Sequence, residues 1–280
     1  MKLCYQVATP DVAIAESVTA YQGSLEQSFT DLAVLGYDGV EFMTIDPGKL
    51  NWNEIKTLSR QTGLAVGLVC TGEVFGQLHV SFTHKDPAAR RLAIDKVKEI
   101  IDFAGALGAK INIGRVRGMY LPGEVAREQT DEWLIQAMQE IGDYALPKNV
   151  AIALETVTVL QINLINTCRE AHDLIRAVDR PNFAMMQDTF HLNIEEKDMF
   201  AAIRDYANDN IHVHLCDKNR RYPGNCAMDF RKVIQTFHDV GYDDCFCTEI
   251  LQYPSMKDAA RLSIEYLAPI FRDIYGREIK

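Results

Sequence analysis

Eight times along the 280-residue chain, a short and almost unbroken apolar run gives way to a segment with the spacing of an amphipathic helix. The runs are LCYQVA (3–8), GVEFM (39–43), AVGLVC (65–70), AKINIGR (109–115), VAIALE (150–155), FAMMQD (183–188), IHVHLCD (211–217) and CFCTEI (245–250). A strand without polar alternation is buried on both faces, the condition of a parallel sheet whose crossovers are helices. The helical segments lie at 24–37, 51–63, 88–108, 130–145, 162–178, 197–207, 229–241 and 256–274. In the first of them Leu25, Phe29, Leu32 and Leu35 share a face and Gly36 supplies the stop. Eight strand-then-helix units in about 250 residues close into a barrel. An open dinucleotide-binding sheet would carry GxGxxG after its first strand, and none is present. No composition break or low-complexity linker divides the units. The expected fold is therefore a (β/α)8 TIM barrel, one domain over residues 1–280.

Four of the runs end in groups that add nothing to core packing. VAIALE stops at Glu155, FAMMQD at Asp188, and CFCTEI carries Glu249, while IHVHLCD holds His212 and His214. In such barrels the chemistry stands at the carboxyl ends of the strands. Each residue alone has a plainer reading: a helix cap for Glu155 or Asp188, a hydrogen-bonded core histidine for the deeper His212. Their recurrence at one topological place on units five to eight points instead to one site. Glu155, Asp188, His214 and Glu249 offer three oxygen ligands and one nitrogen. That mostly hard set suits Mn²⁺ or Mg²⁺ better than a cysteine-rich structural zinc site; Mn²⁺ is the first expectation, with Mg²⁺, Co²⁺ and Zn²⁺ left open. Such a metal acidifies the C–H of a hydroxy-ketone and stabilises the enediolate. Glu155 and Glu249, on different strands, could then remove a proton from one face and return it on the other, as an epimerase requires. Return at the neighbouring carbon would give an aldose–ketose isomerase.

Charge narrows the partners. Lys and Arg number 29 against 39 Asp and Glu, a net charge of −10 with no local basic patch, which argues against nucleic acid. No apolar stretch reaches membrane-spanning length, the N-terminal apolar run is too short for a signal peptide, and the seven cysteines, an odd number, mostly sit inside apolar runs. A cytoplasmic protein with reduced thiols and a small-molecule substrate is expected.

ALE at 153–155, QDTFHLNIEE at 187–196, HVHLCDKNRRYPG at 212–224 and TEI at 248–250 resemble the xylose isomerase-like superfamily, and within it the ketose 3-epimerases of the D-tagatose/D-psicose type. The resemblance covers the C-terminal half. It implies Glu155, Asp188, His214 and Glu249 as ligands, both glutamates as acid and base, and His191 and Arg220 as holders of substrate oxygens. One departure stands out: those epimerases carry a second glutamate six residues after the metal-binding one, where this chain has Gln161. A neutral amide can hydrogen-bond a sugar hydroxyl but holds no charge. After the fourth strand, Arg115 and Arg117 flank the barrel mouth among Gly114 and Gly118, a pattern suited to a phosphate or carboxylate, with pairing to Glu73, Glu124 or Glu155 as the alternative. Glu73 and His79 are further candidates for the pocket wall.

The expected activity is a metal-dependent epimerase or isomerase on a ketose or its phosphate or acid derivative. A hydroxypyruvate isomerase-like aldose–ketose isomerase, a sugar-acid lyase or decarboxylase, and a non-catalytic sugar-binding barrel are the alternatives, in that order. A DNA-repair endonuclease with three zinc ions would need more histidines than the strand ends supply. A homo-oligomer, dimer or tetramer, is expected, with Tyr266, Phe271 and Tyr275 on the last helix placed either to pack on a neighbouring subunit or equally to seal the barrel bottom.

Overall fold

Each apolar run becomes a strand, each strand pairs in parallel with its successor, and the eighth returns to the first, so the sheet closes on itself. The structure, a computed structural model, describes residues 1–276; residues 277–280, the end of the expected domain, lie outside the described residues. The strands are β1 (Lys2–Ala8), β2 (Gly39–Met43), β3 (Ala65–Cys70), β4 (Lys110–Ile113), β5 (Ile152–Glu155), β6 (Phe183–Asp188), β7 (Asn210–Leu215) and β8 (Cys245–Thr248). Between and after them run α1 (Leu25–Leu35), α2 (Trp52–Thr62), α3 (Gly72–Leu78), α4 (Pro87–Leu107), α5 (Arg127–Ala145), α6 (Cys168–Val178), α7 (Thr189–Glu195), α8 (Met199–Asp205), α9 (Phe230–Asp239) and α10 (Met256–Tyr275).

The differences from the expected boundaries fall at the carboxyl ends of the strands. β4 stops at Ile113 because the chain turns sharply at Gly114 into a 3-10 turn over Arg115–Arg117. β7 and β8 also end early, leaving Asp217 and Glu249 in loops. The expected helix over 162–178 begins only at Cys168, where Thr167 and Glu170 form a reciprocal capping box. Two short helices were not legible: α3, inside the loop after β3, and α7, which starts on the residue after β6.

Side-chain alternation sorts the strands into an outer and an inner face. Leu3, Tyr5, Val7, Val40 and Phe42 point outward into the main core under the helices. The alternate positions face the barrel axis, and this barrel fills its axis unusually. Where branched aliphatics commonly sit, it has a cluster of thiols, Cys4, Cys245 and Cys247, and a second group of Leu68, Cys70, Ala153 and Met186. Above the thiols come buried Glu41, His212 and His214.

The aromatics of α10 do not support the expected subunit contact. Phe271 is fully buried against Phe246, and Tyr275 also packs on Phe246 while its hydroxyl donates to the Tyr242 carbonyl, 2.6 Å away. Both pack on the barrel's own outer wall, Phe271 fully and Tyr275 partly buried, while Tyr266 is exposed. Phe246 is the hub, with ring centroids of Phe237, Tyr242 and Phe271 at 5.5, 5.0 and 5.0 Å. Replacing it with alanine should remove roughly 3–5 kcal/mol of stability, read as a lowered urea midpoint by far-UV circular dichroism.

Candidate active site

The strand register brings the four predicted ligands together. Asp188 on β6 is opposite His214 on β7, and Glu155 ends the neighbouring β5. Ligand-type atoms of Glu155, Asp188, His214 and Glu249 all lie within 4.8 Å of one another. The Nδ1 atom of His214 is 3.2 Å from a Glu249 oxygen, 3.7 Å from Glu155 Oε1 and 3.8 Å from Asp188 Oδ2. Both Nδ1 of His214 and Oδ2 of Asp188 are buried without a hydrogen-bond partner. Buried polar atoms are rarely left so. Orphaned acceptors aimed at one point, ringed by carboxylates, fit a divalent cation, and these four are residues that could hold one.

Each ligand is held from behind. Asp188 uses Oδ1 to accept the amide N–H groups of Phe190 and His191 at 2.6 and 3.4 Å, capping α7. Its Oδ2 stays on the site, so the cap and the ligand are two halves of one carboxylate. Glu155 accepts from Asn112 Nδ2 at 2.9 Å. A Cβ on residue 114 would sit 2.6 Å from Glu155 Oε2, so glycine at the end of β4 is what lets that carboxylate lie there. Glu249 accepts from Thr19 Oγ1 at 3.0 Å and from the Arg220 guanidinium at 2.9 Å.

His214 is oriented by a residue the sequence did not single out. Its Nε2 lies 2.9 Å from Glu41 Oε2, and His212 lies against the other oxygen of the same carboxylate. Glu41 is fully buried on β2, across the barrel. A carboxylate on one ring nitrogen fixes the tautomer and leaves the other nitrogen free to ligate. His212 is thereby the core histidine expected of it. Burial works against the charge of Glu41, yet the two histidines hold it well below the usual carboxylate range. Burial likewise opposes protonation of His214, but Glu41 and the nearby Asp188 and Glu249 push its pKa well above normal. The site draws positive charge.

The environment also splits the two glutamates. Burial, and then the charge of Glu249, raise Glu155 to about 7. Burial would raise Glu249 too, but Arg220 and His214 override it and keep it well below the ordinary range.

His191 stands on the first turn of α7. Its Nδ1 accepts the Thr158 N–H at 3.2 Å, so Nε2 carries the proton, 4.0 Å from both Glu155 and Asp188. Burial, opposed by the charges of Asp188 and Glu249 and reinforced by Arg220 and His214, lowers it to about 4, so it stays a neutral donor. Arg220, in the left-handed region at φ 57°, reaches from the β7–α9 loop over the Phe190 ring. Asp217, which the sequence reading passed over, organises that loop by accepting the N–H groups of Lys218, Gly224, Cys226 and Met228. His191, Arg220, Gln161, Arg115 and Glu73 all line the pocket, ≈ 180 Å³ in volume, that opens over Glu155 and Glu249.

Arg117 is a correction. It is fully buried, and its guanidinium donates to the carbonyls of Ile113, Gly114, Glu155, Leu164 and Ile165, tying the β4, β5 and β5–α6 segments together. With its donors turned into the backbone, it cannot bind a substrate anion; burial lowers its pKa to about 9. Arg115 does reach the pocket but pairs with Glu73 at 2.6 Å. His79 caps α3 at φ 56° and stays off the pocket wall. Glu41, Asn112 and Thr19 escaped notice because an internal strand glutamate and two neutral residues far away in sequence carry no local signature. Only the apolar setting of Glu41 in GVEFM was a visible anomaly.

A sequence model of the xylose isomerase-like TIM barrel matches residues 29–270. The chain is 28% identical over 215 residues to a ketose 3-epimerase of Arthrobacter globiformis, covering 74% of this chain and 71% of that protein. It is 26% identical over 280 residues to an inosose isomerase of Bacillus velezensis, 95% and 94% of the two chains. The solved D-allulose 3-epimerase from Methylomonas sp. in complex with D-allulose has the same fold, at a TM-score of 0.77, 22% identity, and 95% and 96% coverage. Among the described residues no helix is long and apolar enough to cross a membrane.

If Glu41 orients His214, Glu41→Gln should weaken Mn²⁺ binding about 10–100-fold in titration calorimetry. Unchanged affinity would separate Glu41 from the ligand set.

Proposed function

The chain belongs to the xylose isomerase-like TIM barrel family, and from that premise we propose that it is a divalent-metal-dependent ketose 3-epimerase. The observation that carries this reading is the quartet itself: Glu155 at the end of β5 and Glu249 in the loop just after β8 share one cluster with Asp188 and His214, all ligand-type atoms within 4.8 Å of one another. Glu155, Asp188, His214 and Glu249 would hold the cation, and their hard oxygen-rich set suits Mn²⁺. When bound, the cation lowers the acidity barrier of the C–H between carbonyl and hydroxyl by stabilising negative charge on oxygen.

The rest falls to the protein. One glutamate takes the proton from carbon 3 and the other returns one to the opposite face, which inverts that centre. Neutral His191 donates from Nε2, and Arg220, clamped to Glu249, presents its remaining N–H groups to the substrate oxygens between them. The narrow pocket admits a small sugar and shields the reacting carbon from water. The unpaired cysteines, all buried except Cys226, suit the reducing cytoplasm.

A second reading, transposition of the carbonyl as in an aldose–ketose isomerase, is favoured by two features. Gln161 lines the pocket where the 3-epimerases carry glutamate, and the similarity to an inosose isomerase runs nearly end to end. Both readings use the same four residues; the product distinguishes them.

Incubation of the Mn²⁺-loaded protein with a ketose in D₂O should place deuterium at carbon 3 and yield the 3-epimer by NMR. Label at carbon 2 of an aldose product, with label at carbon 1 of the recovered ketose, would select the second reading. Glu249→Gln should lower turnover by about 10³-fold with an unchanged circular dichroism spectrum. Chelation should abolish exchange and Mn²⁺ restore it; turnover that survives dialysis against chelator would refute the mechanism.

A further inference from the structure

The quartet and its neighbours account for the reacting end of the pocket. The β3–β4 side of the wall has a separate feature. Arg115 leaves the 3-10 turn after β4 and lies along α3, where its Nη2 donates to Glu73 Oε1 at 2.6 Å. The other oxygen of Glu73 accepts from Gln77 Nε2 at 2.9 Å, and Gln77 Oε1 in turn accepts the Ala13 N–H at 3.1 Å from the loop after β1. Gly76 of α3 makes room for the pair. A Cβ on Gly76 would lie 3.0 Å from Glu73 and 3.2 Å from Arg115, and one on Gly72 would lie 3.6 Å from Arg115. The geometry is built around the pair, and both members face the pocket.

Charge on the wall decides what the pair can bind. The lining residues include two arginines, Arg115 and Arg220, and three glutamates, Glu73, Glu155 and Glu249. Each guanidinium already has its own carboxylate, Arg220 on Glu249 and Arg115 on Glu73. A phosphate or carboxylate arriving at Arg115 would therefore meet the Glu73 charge at the same distance as the cation. A hydroxyl pair meets no such conflict, because the guanidinium has unused N–H donors and the carboxylate has spare lone pairs.

We propose that Glu73 and Arg115 are the specificity-determining pair of this pocket, reading neighbouring hydroxyls at the end of the substrate remote from the reacting carbons and rejecting an anionic group there. This rests on the ketose reading above and reverses the expectation that Arg115 marks an anion site. Discrimination is by repulsion as much as by attraction.

The test compares D-fructose with D-fructose 6-phosphate on the Mn²⁺-loaded protein by titration calorimetry, which needs no turnover. The wild type should bind the free ketose more tightly. Glu73→Gln keeps the shape but removes the opposing charge, and should move the affinity ratio toward the phosphate on the order of tenfold. Arg115→Gln should weaken the free ketose without that shift. Should Glu73→Gln fail to fold, Gly76→Ala presses a methyl against the pair and should weaken D-fructose while leaving Mn²⁺ affinity unchanged. Tighter binding of the phosphate by the wild type overturns the proposal, as does a ratio unmoved by Glu73→Gln or full D-fructose affinity in Gly76→Ala. Loss of carbon 3 exchange with the ratio intact would instead count against the 3-epimerase reading alone.

Discussion

Three carboxylates crowded around one imidazole in a buried strand-end cluster repel one another, and the surrounding structure is arranged to hold them there. Glu155, Asp188 and Glu249 would separate or protonate in a low-dielectric setting unless a positive charge stood among them. The structure supplies part of that charge through Arg220 and leaves the Nδ1 of His214 and the Oδ2 of Asp188 without partners, pointed at the remainder. In the proposed reaction a bound cation would complete the balance and would make proton abstraction from a sugar carbon feasible.

That arrangement needs rigid backing, which comes from residues packed around the quartet. Glu41 fixes the ring of His214 from across the barrel, Asn112 and Gly114 seat Glu155, and Thr19 and Arg220 each take one oxygen of Glu249. Arg117 does the same for the backbone, joining the ends of β4 and β5 to the loop that carries Gln161. Asp217 gathers four N–H groups and so holds the loop on which Arg220 adopts its left-handed backbone. The barrel core beneath is small and soft, with thiols and a histidine in place of branched aliphatics, which leaves space for Glu41 to reach both imidazoles.

Much of this was legible before the structure. The barrel followed from eight buried strands alternating with helices, because burial on both faces leaves a periodicity that survives without tertiary information. The quartet followed from polar groups at strand ends, where packing gives no reason for them. Asp188 shows the limit of such reasoning: capping and ligation looked like competing readings, yet one oxygen caps α7 while the other stays free toward the cluster, so the two are compatible. Arg117 shows it more sharply, since two arginines a residue apart looked alike until the 3-10 turn sent one into the backbone and the other to the pocket.

The sequence alone determined the architecture and the kinds of atom available at the strand ends, because hydrophobic periodicity and residue chemistry are properties of the chain. Which of those atoms are free to act was decided only by the tertiary structure. Arg115 meets Glu73, Arg117 meets five carbonyls, and Glu41 meets two histidines 171 and 173 positions away. A charge is a ligand, a lock or a counter-ion according to its nearest neighbour, and in a closed barrel those neighbours come from strands that are remote along the chain.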